Sequence, residues 1–215
     1  MRNTEVAVIN YGIGNLLSVR RGLECCGARV SVTSEPEQIL LADRVVLPGV
    51  GAFADGMEGL KTSGLDKVVH ELVKKGTPLL GICLGMQMLM DESEEFGLSK
   101  GLGLIPGRVI PVPVLTSEGN PLKVPHIGWN ELVFPEGHYQ WGNSLMEGIK
   151  PGDAVYFVHS YMALPDNPAH RIADCVYGGN FLAATIARDN VTGCQFHPEK
   201  SGEIGLKILS RFLND

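Results

Sequence analysis

The sequence predicts an α/β fold with a central, mostly parallel sheet and an added antiparallel extension in the second half of the chain. Two observations carry this prediction. Up to Leu89, short apolar runs of strand length alternate with stretches of helical periodicity, and such strand–helix–strand units build parallel sheets with right-handed crossovers. From Gly101 onward, the segments are short, rich in proline and separated by turns, as in mixed or antiparallel sheets.

Length and composition bound the kind of protein. A chain of 215 residues can bury a substantial core, and we expect a single domain over residues 1–215. A net charge of −6 argues against nucleic acid as a partner. There is no membrane-length apolar run and no cleavable signal pattern. Five cysteines without regular spacing are typical of a reducing compartment, so we expect a cytoplasmic protein.

The first part of the chain predicts three strands with a short buried pattern: Glu5–Ile9, Arg29–Thr33 and Arg44–Leu47. The G-x-G that follows the first strand is not a dinucleotide fingerprint, because the third glycine is missing.

The third strand leads into Pro48-Gly49-Val50-Gly51. A loop at this end of a sheet strand can present backbone N–H groups to an anion, although a flexible connection is the alternative. A helix from about Asp55 to Lys75, broken near Ser63-Gly64, follows.

The segment Leu79–Leu89 contains the first candidate for chemistry. A buried strand runs into Cys83, which lies between Gly81 and Gly85, and an apolar stretch of helical length follows. This G-x-C-x-G pattern is the cysteine counterpart of the G-x-S-x-G nucleophile elbow, in which small neighbours let the nucleophile project from a sharp turn. The helix that begins at Leu84 directs free N–H groups at the sulfur. The alternative is a structural, buried cysteine.

The rest of the chain is predicted from shorter signals. The acidic run Asp91–Glu95 is typical of a solvated face or a helix end. Seven later segments have strand patterns: Gly107–Pro113, Val124–Trp129, Glu131–Phe134, Ala154–Val158, Ile172–Val176, Ala183–Arg188 and Val191–Phe196. The tail Gly202–Leu213 predicts an amphipathic helix.

A cysteine nucleophile needs a base, and the base needs a group that orients it. His197 precedes Pro198, which keeps the histidine extended. Side chains two residues apart in an extended segment project the same way, so Glu199 can reach one imidazole nitrogen while the other faces a cleft. We reject a metal site, because C-x-x-C is absent and no two histidines share helical spacing.

These motifs together resemble those of the class I glutamine amidotransferases. The family pattern stands here as Gly81–Gln87, Pro48–Gly51 and His197–Glu199, in the family's order and over essentially the whole chain. Within the family, Asn10–Asn15, His126–Asn130 and Lys200 are similar to segments of the glutaminase subunits of imidazole glycerol phosphate synthases, from histidine biosynthesis. The resemblance implies a flavodoxin-like three-layer sandwich.

The resemblance also implies a reaction, the hydrolysis of L-glutamine to glutamate and ammonia without a cofactor. Cys83 would attack the side-chain amide carbon to give a thioester, His197 would transfer the proton, and Glu199 would orient the ring. The implied oxyanion hole consists of backbone amides of Val50, Gly51 and Leu84. The implied substrate-binding residues are Gly49, Gln87, Ser160 and Tyr161.

A partner is implied as well: a separate cyclase subunit, joined in a heterodimer, that uses the ammonia to make imidazole glycerol phosphate and AICAR. The interface candidates are Asn10, Asn15, Trp129 and Lys200. Two alternatives stay open. Another enzyme of the same fold, such as a γ-glutamyl hydrolase or cysteine peptidase, needs neither a Gln87 pocket nor a partner surface. A non-enzymatic binding or regulatory module is disfavoured by the intact set of Cys83, His197 and Glu199.

Overall fold

The computed structural model describes residues 4–142 and 144–214. The helices are α1 (Leu16–Cys25), α2 (Pro36–Leu41), α3 (Phe53–Thr62), α4 (Leu65–Lys74), α5 (Leu84–Met88) and α6 (Gly202–Asn214). The strands are β1 (Glu5–Ile9), β2 (Arg29–Thr33), β3 (Arg44–Gly49), β4 (Leu79–Cys83), β5 (Glu92–Ser93), β6 (Ser99–Lys100), β7 (Gly107–Pro111), β8 (His126–Val133), β9 (Ala154–His159), β10 (Tyr161–Pro165), β11 (Arg171–Tyr177), β12 (Asn180–Arg188) and β13 (Val191–Cys194). Within the described residues, no helix combines the length and the apolar character that crossing a membrane requires.

One nine-stranded sheet runs through the molecule in the order β2-β1-β3-β4-β13-β12-β11-β8-β9. The first five strands are parallel, and the four that follow are each antiparallel to their neighbour. A smaller sheet has the order β10-β7-β5-β6. The predicted combination of a parallel sheet with an antiparallel extension in the second half is confirmed.

The strands bury both faces, as the alternation along β1 illustrates. Val6 and Val8 belong to a core that also contains side chains of α1 and α6. Ala7 and Ile9 belong to a second core, which contains side chains of α2, α3 and α4. Because successive strand residues point to opposite faces, these two cores lie on opposite sides of the sheet. The predicted three-layer sandwich is therefore confirmed.

The structure corrects several predicted elements. The predicted strands Val124–Trp129 and Glu131–Phe134 form one continuous strand, β8, because Asn130 pairs in register with Val155 of β9 and keeps the ladder unbroken. Helix α2 and strand β10 had no prediction. The prediction of a solvated face or helix end at Asp91–Glu95 is wrong, since part of this run forms strand β5 between β6 and β7.

The sheet register places three loops at one edge. Gly49 at the end of β3 pairs with Cys83 at the end of β4, and Ile82 of β4 pairs with Cys194 of β13. The segments that leave these three parallel strands therefore emerge side by side. In α/β sheets this carboxyl edge is where ligands bind.

Candidate active site

Cys83 occupies a strained turn between β4 and α5. Its φ of 54° and ψ of −111° lie in a region that non-glycine residues rarely adopt. The turn needs glycine on both sides: a Cβ at Gly81 would lie 2.8 Å from the backbone of Gly85, and a Cβ at Gly85 would overlap the carbonyl oxygen of Leu47. This is the predicted strand–turn–helix geometry, and it holds Cys83 at the edge of the sheet.

His197 is bound to Glu199 and faces Cys83. The imidazole Nδ1 lies 2.8 Å from Glu199 Oε1, and both side chains are buried. Nε2 is also buried, and Cys83 is the other side chain with which the His197 ring interacts. The backbone is fixed, because His197 N donates to Tyr156 O at 2.9 Å and Ser201 Oγ donates to His197 O at 2.7 Å.

The environment of His197 favours the protonated ring. Burial by itself lowers the pKa of His197. The hydrogen-bonding and charge interactions with Cys83 and Glu199 outweigh burial and raise that pKa to about 9. The His197 ring therefore keeps its second proton near neutral pH.

A cavity of about 360 Å³ opens above these residues. It lies within the size range of small-molecule sites. Its walls come from the glycine loop, the turn at Cys83, the β9–β10 turn and the acidic run: Val50, Gly51, Cys83, Leu84, Gln87, Glu95, Pro125, Val158, His159, Ser160, Tyr161 and His197.

The two glycines of the loop after β3 have different roles. Gly49 is buried behind the cavity, where a Cβ would lie 2.6 Å from Tyr11 Oη. Glycine is needed at position 49 because the surrounding atoms leave no room for a side chain. Gly51 lines the cavity with a φ of +94°, and a Cβ there would meet no atom within 4 Å. Glycine is needed at position 51 because of this positive φ, not because of a lack of space. Within the described part of the chain, the N–H groups of Val50 and Gly51 donate no backbone hydrogen bond.

The Gln87 side chain is oriented by two acceptors. Its Nε2 donates to Tyr161 O at 2.9 Å and to Gln195 Oε1 at 3.1 Å. Because an amide nitrogen carries two hydrogens, both are used, and only Oε1 remains available to a ligand. Ser160 and Tyr161 line the same cavity. The site thus brings together a thiol, an imidazole, backbone N–H groups and a side-chain acceptor, which are the kinds of group that acyl transfer requires.

Comparison with known proteins decides the family. A family model described as "Glutamine amidotransferase class-I" matches residues 7–215. The chain belongs to this family. Solved structures agree on the fold of this amidotransferase: "Structure of PurLQS from Thermotoga maritima" superimposes with a TM-score of 0.70 at 18% identity, covering 99% of each chain. A structure titled "Crystal structure of glutamine amidotransferase" superimposes with a TM-score of 0.68 at 18% identity, covering 94% of each chain.

Several relatives carry names of imidazole glycerol phosphate synthase subunits. "Imidazole glycerol phosphate synthase subunit HisH 1" of Legionella pneumophila (strain Lens) is 50% identical over 210 residues, which cover 98% of this amidotransferase and 99% of the relative. "Imidazole glycerol phosphate synthase subunit HisH" of Geobacter sulfurreducens is 45% identical over 210 residues, covering 97% and 98% of the two chains.

Glu95 is a cavity residue of the amidotransferase that sequence reasoning missed. It belongs to the run Asp91–Glu95, for which the sequence predicted a solvated face or helix end. Strand β5 instead draws the run into the smaller sheet and buries Ser93 completely. Glu95 then reaches the cavity, and its Oε2 accepts a hydrogen bond from Phe53 N at 2.6 Å. No local pattern signals this position, because the pairing of β5 with β7 creates it.

The four candidate interface residues of the amidotransferase lie outside the cavity lining. Trp129 is 59% exposed and Lys200 is exposed, and the Trp129 ring lies 4.0 Å from where a Cβ at Gly202 would sit. The structure therefore brings Trp129 close to the segment that carries Lys200. Asn10 and Asn15 are half-buried and flank the loop between β1 and α1.

Over residues 4–142 and 144–214, no group of three or more histidine, cysteine, aspartate or glutamate side chains is positioned to hold a metal ion.

Proposed function

We propose that this amidotransferase is the glutaminase subunit of an imidazole glycerol phosphate synthase. It hydrolyses L-glutamine to glutamate and ammonia, and it passes the ammonia to a separate cyclase subunit in a heterodimer. One observation carries the chemistry: Cys83 faces the His197–Glu199 pair at the floor of a small cavity. The names of the relatives support the pathway, and the single nine-stranded sheet supports one domain over 1–215.

The triad carries the proton through the reaction. Glu199 holds Nδ1–H, so Nε2 is the nitrogen that exchanges a proton with Cys83. The thiolate of Cys83 attacks the side-chain amide carbon, and His197 gives its proton to the leaving nitrogen, which departs as ammonia. Water then attacks the thioester, His197 takes the proton of that water, and the sulfur is released with glutamate.

The oxyanion formed in both steps needs N–H donors. Leu84 is the first residue of α5, and its N–H has no partner within the helix. Val50 and Gly51 line the cavity with N–H groups that make no other backbone hydrogen bond among the described residues. One such donor contributes about 10²–10³-fold to turnover. The proposed hole therefore combines the loop after β3 with the turn after β4.

Two acceptors in the cavity suit the α-ammonium group of glutamine. Gln87 has only its Oε1 free, and Glu95 contributes a carboxylate that Phe53 N holds in place. Oxygen acceptors of this kind bind a cation through charge-assisted hydrogen bonds. Ser160 and Tyr161 provide the neighbouring wall. Gly49 acts indirectly, since it gives the loop its close packing.

The partner surface is proposed at the carboxyl edge of the sheet. Lys200 follows the carboxyl end of β13, and the Trp129 ring lies near Gly202 of the same segment. Both side chains are exposed, and exposed aromatic residues are typical of interface centres. Asn10 and Asn15 would extend the surface along the β1–α1 loop. A cyclase docked on this edge would receive ammonia directly from the cavity.

Two assays test the function. We expect the complex with the cyclase subunit to release glutamate from glutamine, and the Cys83→Ala complex to lose glutamine-dependent synthesis while keeping ammonia-dependent synthesis. Equal turnover of glutamine by Cys83→Ala would contradict the proposal. Hydrolysis of γ-glutamyl peptides in preference to glutamine, with no response to the cyclase, would instead indicate a γ-glutamyl hydrolase.

A further inference from the structure

We propose that Gln195 acts directly on the nucleophile by donating an amide N–H to the sulfur of Cys83. This inference rests on the proposed role of Cys83. Gln195 Nε2 lies 3.8 Å from Cys83 Sγ, a separation suited to the large sulfur atom. The Gln195 side chain is fully buried. The proposal adds a third side chain to the two, His197 and Glu199, that the sequence motif identifies.

The orientation of the Gln195 amide follows from its neighbour. Gln87 Nε2 donates both of its hydrogens, one to Tyr161 O at 2.9 Å and one to Gln195 Oε1 at 3.1 Å. A backbone carbonyl can only accept, so the nitrogen of Gln87 must face Tyr161. Gln195 must then turn its oxygen toward Gln87, which leaves its nitrogen facing Cys83. The donor at the sulfur is therefore determined by a network of hydrogen bonds.

The donor matters because of what else surrounds the sulfur. Cys83 Sγ lies 3.9 Å from the carbonyl oxygen of Val158, which can only accept and so favours the protonated thiol. The N–H of Gln195 can only donate and so favours the thiolate, the nucleophilic form. Gln195 therefore offsets the carbonyl and works in the same direction as protonated His197.

The Gln195 side chain is fully buried, where an uncharged polar group is costly unless it is hydrogen-bonded, and its amide meets this need through Gln87 and Cys83. Gln195 N donates to Ala184 O at 2.9 Å, which ties the backbone to β12. Gln195 and His197 both follow the end of β13, so this one segment brings both side chains to the sulfur.

The test compares Gln195→Met and Gln195→Glu with a control, Thr185→Val. Methionine keeps the length but removes the donor, and glutamate replaces the donor with an acceptor. Thr185 is equally buried, pairs with Cys194 in the sheet register and bonds Met146 Sδ instead of Cys83. The measurement is the rate of iodoacetamide alkylation at Cys83 in the full chain as a function of pH, resolved by peptide mass spectrometry.

We expect Gln195→Met to raise the pH midpoint of Cys83 alkylation by about one unit, as for a lost hydrogen bond to a charged group. Gln195→Glu should shift the midpoint further, and Thr185→Val should match wild type. Wild-type midpoints in both folded Gln195 variants would overturn the inference, because a purely structural role would change stability alone.

A measurement on the wild-type chain covers the case in which the variants fail to fold. The side-chain amide NMR signals of Gln195 should shift with the same pH midpoint as Cys83 alkylation, and absence of that shift would also overturn the inference. The outcomes are separable. Burial raises the pKa of the Cys175 and Cys194 thiols to about 12, so both should react more slowly than Cys83. Preferential labelling of either one would contradict the proposed nucleophile.

Discussion

The Nδ1 atom of His126 lies 2.9 Å from the Nε2 atom of His159, and both rings are buried. His159 Nδ1 lies 2.8 Å from Tyr161 O and must donate to it, so His159 Nε2 accepts from His126 Nδ1–H. Asn130 Nδ2 then lies 3.3 Å from the remaining acceptor, His126 Nε2. This arrangement assigns one neutral tautomer to each ring and links the half-exposed Asn130 to the wall of the proposed glutamine cavity.

The histidine pair predicts acid-sensitive stability. Burial lowers the pKa of His126 to about 4, and burial together with the charges of His126 and His197 lowers the pKa of His159 to about 4 despite the bond to Tyr161. Between pH 6.5 and 4 the unfolded chain binds more protons, so the stability present above pH 6.5 is lost as the pH falls. Because the two rings share a hydrogen bond and titrate as a pair, together they account for a loss on the order of a few kcal/mol across that range.

Denaturant unfolding at several pH values checks this prediction. The free energy of unfolding of the wild type should fall between pH 6.5 and 4, and the decrease should be smaller in His126→Gln. His70 lies in the helix α4 and serves as the control, since His70→Gln should leave the decrease unchanged. The same decrease in all three proteins would contradict the assignment.

Glu199→Gln should lower the pKa of His197. The carboxylate is one of the two partners that raise this pKa to about 9. Without its charge, the lowering of the pKa by burial is opposed less strongly. We expect turnover to fall by roughly one to three orders of magnitude, less than in His197→Ala, because the base remains while its orientation suffers. Titration of the His197 ring by NMR and glutaminase kinetics measure the two effects. Wild-type values for both would show that the carboxylate has no catalytic role.

Gly51→Val should depress the partner-stimulated rate. A Cβ at Gly51 meets open space, so the strain comes from the φ of +94°, which valine resists, and the loop N–H should leave the oxyanion hole. The loss of one donor predicts a decrease of about 10²–10³-fold. Glutamate release by the complex is the measurement, with complex formation and Cys83 alkylation retained.

The chain offers a matched control for Gly51→Val. Gly64 has a φ of +71° and equally open surroundings, but it lies between α3 and α4 and outside the cavity lining. Gly64→Val should lose comparable stability and keep the rate. Equal effects of the two substitutions on the rate would show that general strain, rather than the oxyanion hole, is responsible.

Glu95→Gln should weaken glutamine binding. The amide keeps an oxygen for Phe53 N but loses the charge that attracts the α-ammonium group, so we expect KM to rise about tenfold or more with a smaller change in kcat. The neighbouring Glu94→Gln is the control, because Glu94 is largely exposed and faces Arg108. An unchanged KM in Glu95→Gln would remove Glu95 from the substrate site.

Local sequence was sufficient to predict that Cys83, His197 and Glu199 lie together beside the glycine loop. Cys83 between two glycines, His197 before Pro198 and the glycine loop after β3 are recognisable because each depends on local backbone geometry, and such geometry restricts the residues beside it. The alternation of apolar strands and helical patterns likewise predicted the parallel half of the sheet, since its periodicity is local.

Completion of the site depended on tertiary structure. Gln195 meets Gln87 across 108 positions of sequence and Cys83 across 112, and Glu95 reaches the cavity only after β5 pairs with β7. His126 lies opposite His159 because of the register of β8 and β9. The sequence predicted the strands but not which of them would pair. Contacts of this kind depend on which strands become neighbours, and that outcome follows from burying the whole sheet rather than from any local pattern.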